Sequence, residues 1–169
     1  MAEESPVFLV DPYSNPVAVK IVGRASFQNV LPLKDFLKDT YAAGKRCFVF
    51  DFSECAGMDS TVLGVLAGCA LELRKLEPKG SLVLSRLNER NRDLVRNLGL
   101  HRIATVDDGP SSPKVVGANQ GLSKGEDLDE LSNARLCLEA HENLVEADAE
   151  NQAKFQDVID YLKGRVDEG

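Results

Sequence analysis

Apolar positions along the chain follow two periods that alternate. Val17-Ala-Val-Lys-Ile-Val22 is rich in β-branched residues and alternates, the pattern of a strand. A shorter apolar run over 7–10, Val-Phe-Leu-Val, stops at Asp11-Pro12. The turn-rich stretch Asp11–Pro16 between the two runs predicts an antiparallel hairpin. From about Phe27 to Ala43, Val30, Leu33, Phe36, Leu37 and Tyr41 recur at helical spacing, with Pro32 in the first turn and Gly44 as a stop. Cys47-Phe-Val-Phe-Asp-Phe52 has no polar residue before Asp51, which predicts a central strand covered on both faces. A loop over 53–58 follows. Asp59 or Ser60 then caps a helix whose apolar face is Val62, Leu66, Cys69, Leu73 and Leu76. Ser81–Leu87 reads as a strand, Glu89–Leu98 as a helix capped by Asn88 and stopped by Gly99, and Ile103–Val106 as a last short strand. The order β-β-α-β-α-β-α-β predicts an α/β fold with a mixed, mostly parallel sheet of about five strands.

The pattern changes after Val106. Residues 107–125 hold four Gly, two Pro and three Ser, the composition of a flexible linker. Beyond it Leu128, Leu131, Leu138, His141, Leu144 and Val145 recur at helical spacing, as do Phe155, Val158, Ile159 and Leu162. One or two amphipathic helices are expected, hinged near Ala147–Glu150. The expected organisation is a domain over 1–106, a linker over 107–125 and an acidic helical extension over 126–169. The apolar stripes of the extension can be buried on the domain, on a second copy as a homodimer, or on a partner.

Charge sharpens the division. Residues 126–169 carry 13 acids and 4 bases, net −9, whereas 1–125 carry 14 acids and 16 bases, net +2. An acidic tail repels phosphates, so direct nucleic-acid binding is not expected. No apolar run approaches the roughly 20 residues that cross a bilayer, because Gly64, Gly68 and Glu72 interrupt the longest one. The acidic start, Met1-Ala-Glu-Glu-Ser, does not read as a secretory signal, and a cytoplasmic location is expected. The cysteines, Cys47, Cys55, Cys69 and Cys137, form no CxxC pair, and the histidines are His101 and His141 alone. No metal site and no cofactor are expected, and no phosphate-cradling glycine motif occurs. Cys47 and Cys69 read as small buried hydrophobes. His141 reads as a helix-face residue near Glu142 or Glu146. No nucleophile with a base is recognisable, so enzymatic activity is not expected.

The informative stretch is Asp51-Phe-Ser-Glu-Cys-Ala-Gly-Met-Asp-Ser-Thr-Val-Leu-Gly-Val-Leu66, a strand, a connection and a hydroxyl pair opening a helix. It resembles the STAS family, in which a D-x-S strand end is followed by D-S-S or D-S-T at a helix start. Asp51, Ser53, Asp59, Ser60 and Thr61 match those positions, and Val62 stands where many members have Gly. The resemblance spans roughly residues 7–106, including Gly99-Leu-His-Arg-Ile103. It implies an anti-sigma factor antagonist that binds an anti-sigma factor or serine kinase. The resemblance further implies that phosphorylation at Ser60 ends that binding, that a phosphatase restores it, and that Thr61 is a second site. Ser60, Gly64 and Gly68, at i, i+4 and i+8, make a flat strip that a partner helix can approach, or that packs closely on the chain's own sheet. Arg86, Arg90, Arg92, Arg96 and Arg102 form a basic cluster that reads as a solvated face or a candidate anion site, onto which the acidic tail can also fold. The alternative functions are a STAS subunit of a transporter or a stressosome-like scaffold, and a nucleotide-binding regulatory module.

Overall fold

The computed structural model describes residues 6–107, 117–123 and 128–168. Its elements are β1 Phe8–Asp11, β2 Val17–Ala25, α1 Leu31–Ala42, β3 Cys47–Met58, α2 Ser60–Lys75, β4 Ser81–Ser85, α3 Glu89–Asn97, a 3₁₀ turn Leu100–Arg102, β5 Thr105–Asp107, β6 Gln120–Gly121, α4 Glu130–Ala147 and α5 Asn151–Glu168. The strands form one sheet in the order β5-β4-β3-β2-β1-β6. β1 pairs antiparallel with β2 as the hairpin predicts, and β2, β3, β4 and β5 are mutually parallel.

Alternation places Val17, Val19 and Ile21 of β2 on one face with Phe48, Phe50 and Phe52 of β3 and Leu82 and Leu84 of β4. These side chains are buried with Leu33 and Leu37 of α1 and Leu63, Leu66 and Leu73 of α2 in the main core. Burying a side chain of that size stabilises the fold by about 1.5–3 kcal/mol. The opposite face of β3 is not fully covered: Cys47 and Val49 are half-buried. The strand is nonetheless apolar on both faces because Val49 lies between Ala18 and Val83 in register, and neighbouring side chains shield one another.

Several boundaries differ from expectation: β4 stops at Ser85 rather than Leu87, and the last strand starts at Thr105 rather than Ile103, which follows directly on the 3₁₀ turn. α1 begins at Leu31, not Phe27, because the Asn29 side chain accepts the Ser26 N–H and closes a turn before it. The expected loop over 53–58 is strand: β3 continues to Met58 and pairs with Val22–Ala25 of β2 across two register shifts. A sixth strand comes from the segment expected to be linker, where Gln120 and Gly121 pair antiparallel with Val10 and Leu9.

The C-terminal extension forms two helices broken at residues 148–150. The hairpin is anchored at that break. The buried Asn151 side chain donates to the carbonyls of Leu98, at 2.9 Å, and Leu144, at 2.7 Å. Asp148 lies against Gly99, whose φ of 78° is left-handed, and stands 4.0 Å from Arg102. A side chain at Gly99 would be strained by that φ and would collide with Asp148.

Candidate functional site

β3 delivers the chain to the start of α2, where the aligned N–H groups of the first turn need acceptors. Asp59, extended at φ −99° and ψ 175°, caps the helix: its Oδ1 accepts the Val62 N–H at 3.0 Å. Oδ2 accepts the Phe27 N–H at 2.8 Å and so ties the β2–α1 connection to the helix. Phe27 itself is 37% exposed beside it. Ser60 is therefore the first helical residue, with Thr61 behind it.

Both hydroxyls meet α4. The Ser60 Oγ lies 2.9 Å from Nε2 of His141, and Nδ1 of the same ring lies 2.6 Å from the Cys137 carbonyl. A carbonyl only accepts, so Nδ1 carries a proton. In the neutral ring Nε2 then accepts the Ser60 hydroxyl proton. His141 is 5% exposed and packs edge-on against Phe155 of α5 at 4.9 Å between centroids. Thr61, 4% exposed, directs its hydroxyl to the Cys137 sulfur at 3.7 Å. Burial pushes the Cys137 thiol above its usual range, Thr61 pulls against that, and the Asp59 carboxylate adds to it.

The strip continues along α2 and is occupied. α4 runs in the same direction, with the Ala140 carbonyl so close to Gly64 that an added methyl would collide with it. Asn143 donates from Nδ2 to the Gly64 carbonyl at 3.3 Å and also abuts Gly68. Both glycines thus serve a close helix approach, and the helix seated on them in this structure is the chain's own α4. The tail's acids find bases on this side: Lys34 pairs with Glu139 at 2.9 Å and Lys75 with Glu146 at 3.3 Å. A cleft of about 360 Å³ remains between α1, α2 and α4, lined by Lys34, Tyr41, Glu72 and Glu139 among others. Burial, and then the nearby Cys69, Glu72 and Glu139, raise the Tyr41 hydroxyl above its usual range.

The remaining candidates fall elsewhere. Asp51 is fully buried within the sheet, and its Oδ1 accepts the Ser53 N–H at 2.8 Å. Asp51 therefore shapes the strand end from inside and offers no surface, whereas Ser53 is exposed. Arg90, Arg92 and Arg96 lie on α3 with Arg90 and Arg96 exposed, and Arg86 follows β4 in the left-handed region at φ 59°. Among the described residues no helix is long and apolar enough to cross a membrane. The residue that sequence reasoning missed is His141. Its helical periodicity assigned it to the buried stripe, but no local signal placed it against a serine 81 positions earlier.

A parallel-centred mixed sheet whose central strand leads into a capped Asp-Ser-Thr helix start defines a class of small α/β domains. The chain belongs to the STAS domain family: the family model described as Mlab, STAS domain, matches residues 9–106. β6, α4 and α5 lie beyond that match. No curated protein matches the chain. Among solved structures it is similar to SpoIIAA in its phosphorylated form, a Bacillus cell fate determinant, with 17% identity, 62% of this chain and 92% of that chain covered, and a TM-score of 0.51. It is also similar to a Thermotoga maritima protein assigned as an anti-sigma factor antagonist, with 20% identity, 62% and 88% coverage, and a TM-score of 0.50. At such identities the likeness speaks for the fold.

Proposed function

We propose that this chain is a phosphorylation-controlled protein-binding regulator of the anti-sigma factor antagonist kind, acting without catalysis in the cytoplasm. The observation that carries the reading is Ser60 at the first helical position of α2, beside the Asp59 cap, in a chain of the STAS family. A structurally similar protein, SpoIIAA, is known in a phosphorylated form, which supports a phosphosite on this fold. Ser60, Asp59 and the Gly64–Gly68 strip of α2 form the partner face, with Ser53 at its edge. Thr61 is a second modification site that becomes reachable only when α4 moves.

The physics of the switch follows from charge. Phosphate adds about −1.5 to −2 charges at neutral pH. The helix N-terminus favours that charge by roughly 0.3–1 kcal/mol, and the neighbouring Asp59 opposes it, so the fold survives modification. A partner surface that buries the same charge unpaired loses several kcal/mol. Modification therefore changes affinity and leaves the domain folded.

Affinity capture from native lysate tests this, with the full chain as wild type, Ser60→Ala and Ser60→Asp. Wild type and Ser60→Ala retain an anti-sigma factor or serine kinase, and Ser60→Asp loses it. Equal retention of the same partners by all three baits contradicts the reading. If the shared partner is an ATPase or permease, the transporter-subunit reading replaces it.

A further inference from the structure

The face that the proposed function assigns to a partner is covered in this structure by the chain's own helix. Three contacts hold the cover along α2. The Ser60 hydroxyl and Nε2 of His141 share a hydrogen bond at 2.9 Å, the Ala140 backbone seats in the gap left by Gly64, and Asn143 donates to the Gly64 carbonyl while abutting Gly68. Lys34–Glu139 and Lys75–Glu146 flank them. We infer that the α4–α5 hairpin is an intramolecular competitor for the partner face, latched by the Ser60–His141 hydrogen bond and released when Ser60 is phosphorylated. The inference rests on the proposed function for the identity of the face, but the latch and its release are properties of this chain alone.

The chemistry of the cover specifies what competes with it. A partner helix that takes its place has a small residue where Ala140 sits and a hydrogen-bonding group where Nε2 of His141 sits. The latch is sensitive to modification for a steric reason and an electrostatic one. Transfer of a phosphoryl group from ATP to Ser60 Oγ breaks the O–H bond, releases ADP and a proton to solvent, and so ends the hydroxyl's hydrogen bond with His141. The phosphate oxygens then need the space that Nε2 fills. The imidazole is confined by Phe155 and by the Cys137 carbonyl. α4 cannot recoil by small steps either, since it is seated backbone to backbone at Gly64. Asp59 beside the phosphate adds like charge. The same reasoning applies to a partner helix, so phosphorylation clears the face of both occupants, while the unmodified face is shared between them.

Hydrogen exchange read by mass spectrometry on the full chain tests the inference without any partner. The variants are Ser60→Asp, His141→Leu and Gly64→Ala. The last adds a methyl that favours the α2 helix but collides with the Ala140 carbonyl. In all three, amides of Glu130–Ala147 and Asn151–Glu168 are expected to exchange about tenfold faster or more than in wild type, while β2, β3 and β4 keep their protection. Unchanged α4 exchange in Ser60→Asp, alongside faster exchange in Gly64→Ala, overturns the latch. Loss of protection in the sheet together with the hairpin overturns the cover, because the hairpin is then an integral part of the domain. A negative capture result for Ser60→Asp, by contrast, bears on the partner and leaves the exchange result standing.

Discussion

Ser60 acquires its meaning from three neighbours that act through different physics. Asp59 caps the helix start through the Val62 N–H and ties it to Phe27, His141 hydrogen-bonds the Ser60 hydroxyl, and Gly64 one turn on admits the backbone of α4. Cysteines in the same region are inert by burial. Cys69, 5% exposed, has its thiol pushed up to about 12 by loss of solvent, and burial also raises Cys55. The consequence for stability has a definite sign. The folded chain keeps the Cys69 proton up to about pH 12, whereas the unfolded chain releases it near the ordinary value of 9.0. Stability from this group is complete below pH 9 and falls as pH rises from there, by about 1.4 kcal/mol per pH unit at most. Urea unfolding between pH 8 and 11 should show that decline, and Cys69→Ala should flatten it relative to wild type. An identical slope in the variant would mean that Cys69 does not hold its proton.

The helices and strands show which features local sequence carries. Capped helix starts were legible because the signal is local: Asp59 and Asn88 each accept the backbone N–H three residues on. The extension of β3 through residues 53–58 was not, since Ser53, Glu54 and Gly57 look like a loop and become strand only by pairing with β2. β6 is hidden for the same reason, being two residues defined wholly by β1. The hinge between α4 and α5 was legible near Ala147–Glu150, but its anchor was not. Asn151 reads as one more polar residue, yet it is fully buried and satisfies two carbonyls from separate elements. Asn151→Ala leaves both carbonyls without that donor in a buried corner, a loss of about 2–3 kcal/mol. Thermal unfolding followed by far-ultraviolet circular dichroism measures it, and a variant as stable as wild type would show that the corner does not hold the hairpin.

Taken as one body, the chain is a STAS domain carrying a tail that lies on α2 of the domain. Charge asymmetry divided the chain into two segments, with the tail able to fold onto the arginine cluster; in the structure Glu139 and Glu146 reach Lys34 and Lys75, beside the α2 strip, and Asp148 approaches Arg102. Of the apolar stripes expected to seek a domain, a second copy or a partner, Leu144 enters the main core in cis, Leu128 and Phe155 pack against it and Ile159 is buried, whereas Val158 is exposed. The sequence could mark Ser60 because its flanking residues are contiguous. It could not mark His141, because that contact depends on a helix crossing set by Gly64 and Ala140 far apart in the chain. The central claim is that Ser60 is the modified residue. Incubating the full chain with native lysate and ATP, then mapping phosphate by tandem mass spectrometry, tests it directly. The account predicts phosphate on Ser60 in the peptide that contains it, and loss of that modification in Ser60→Ala. Phosphate confined to other residues, with Ser60 unmodified in the same sample, would contradict it.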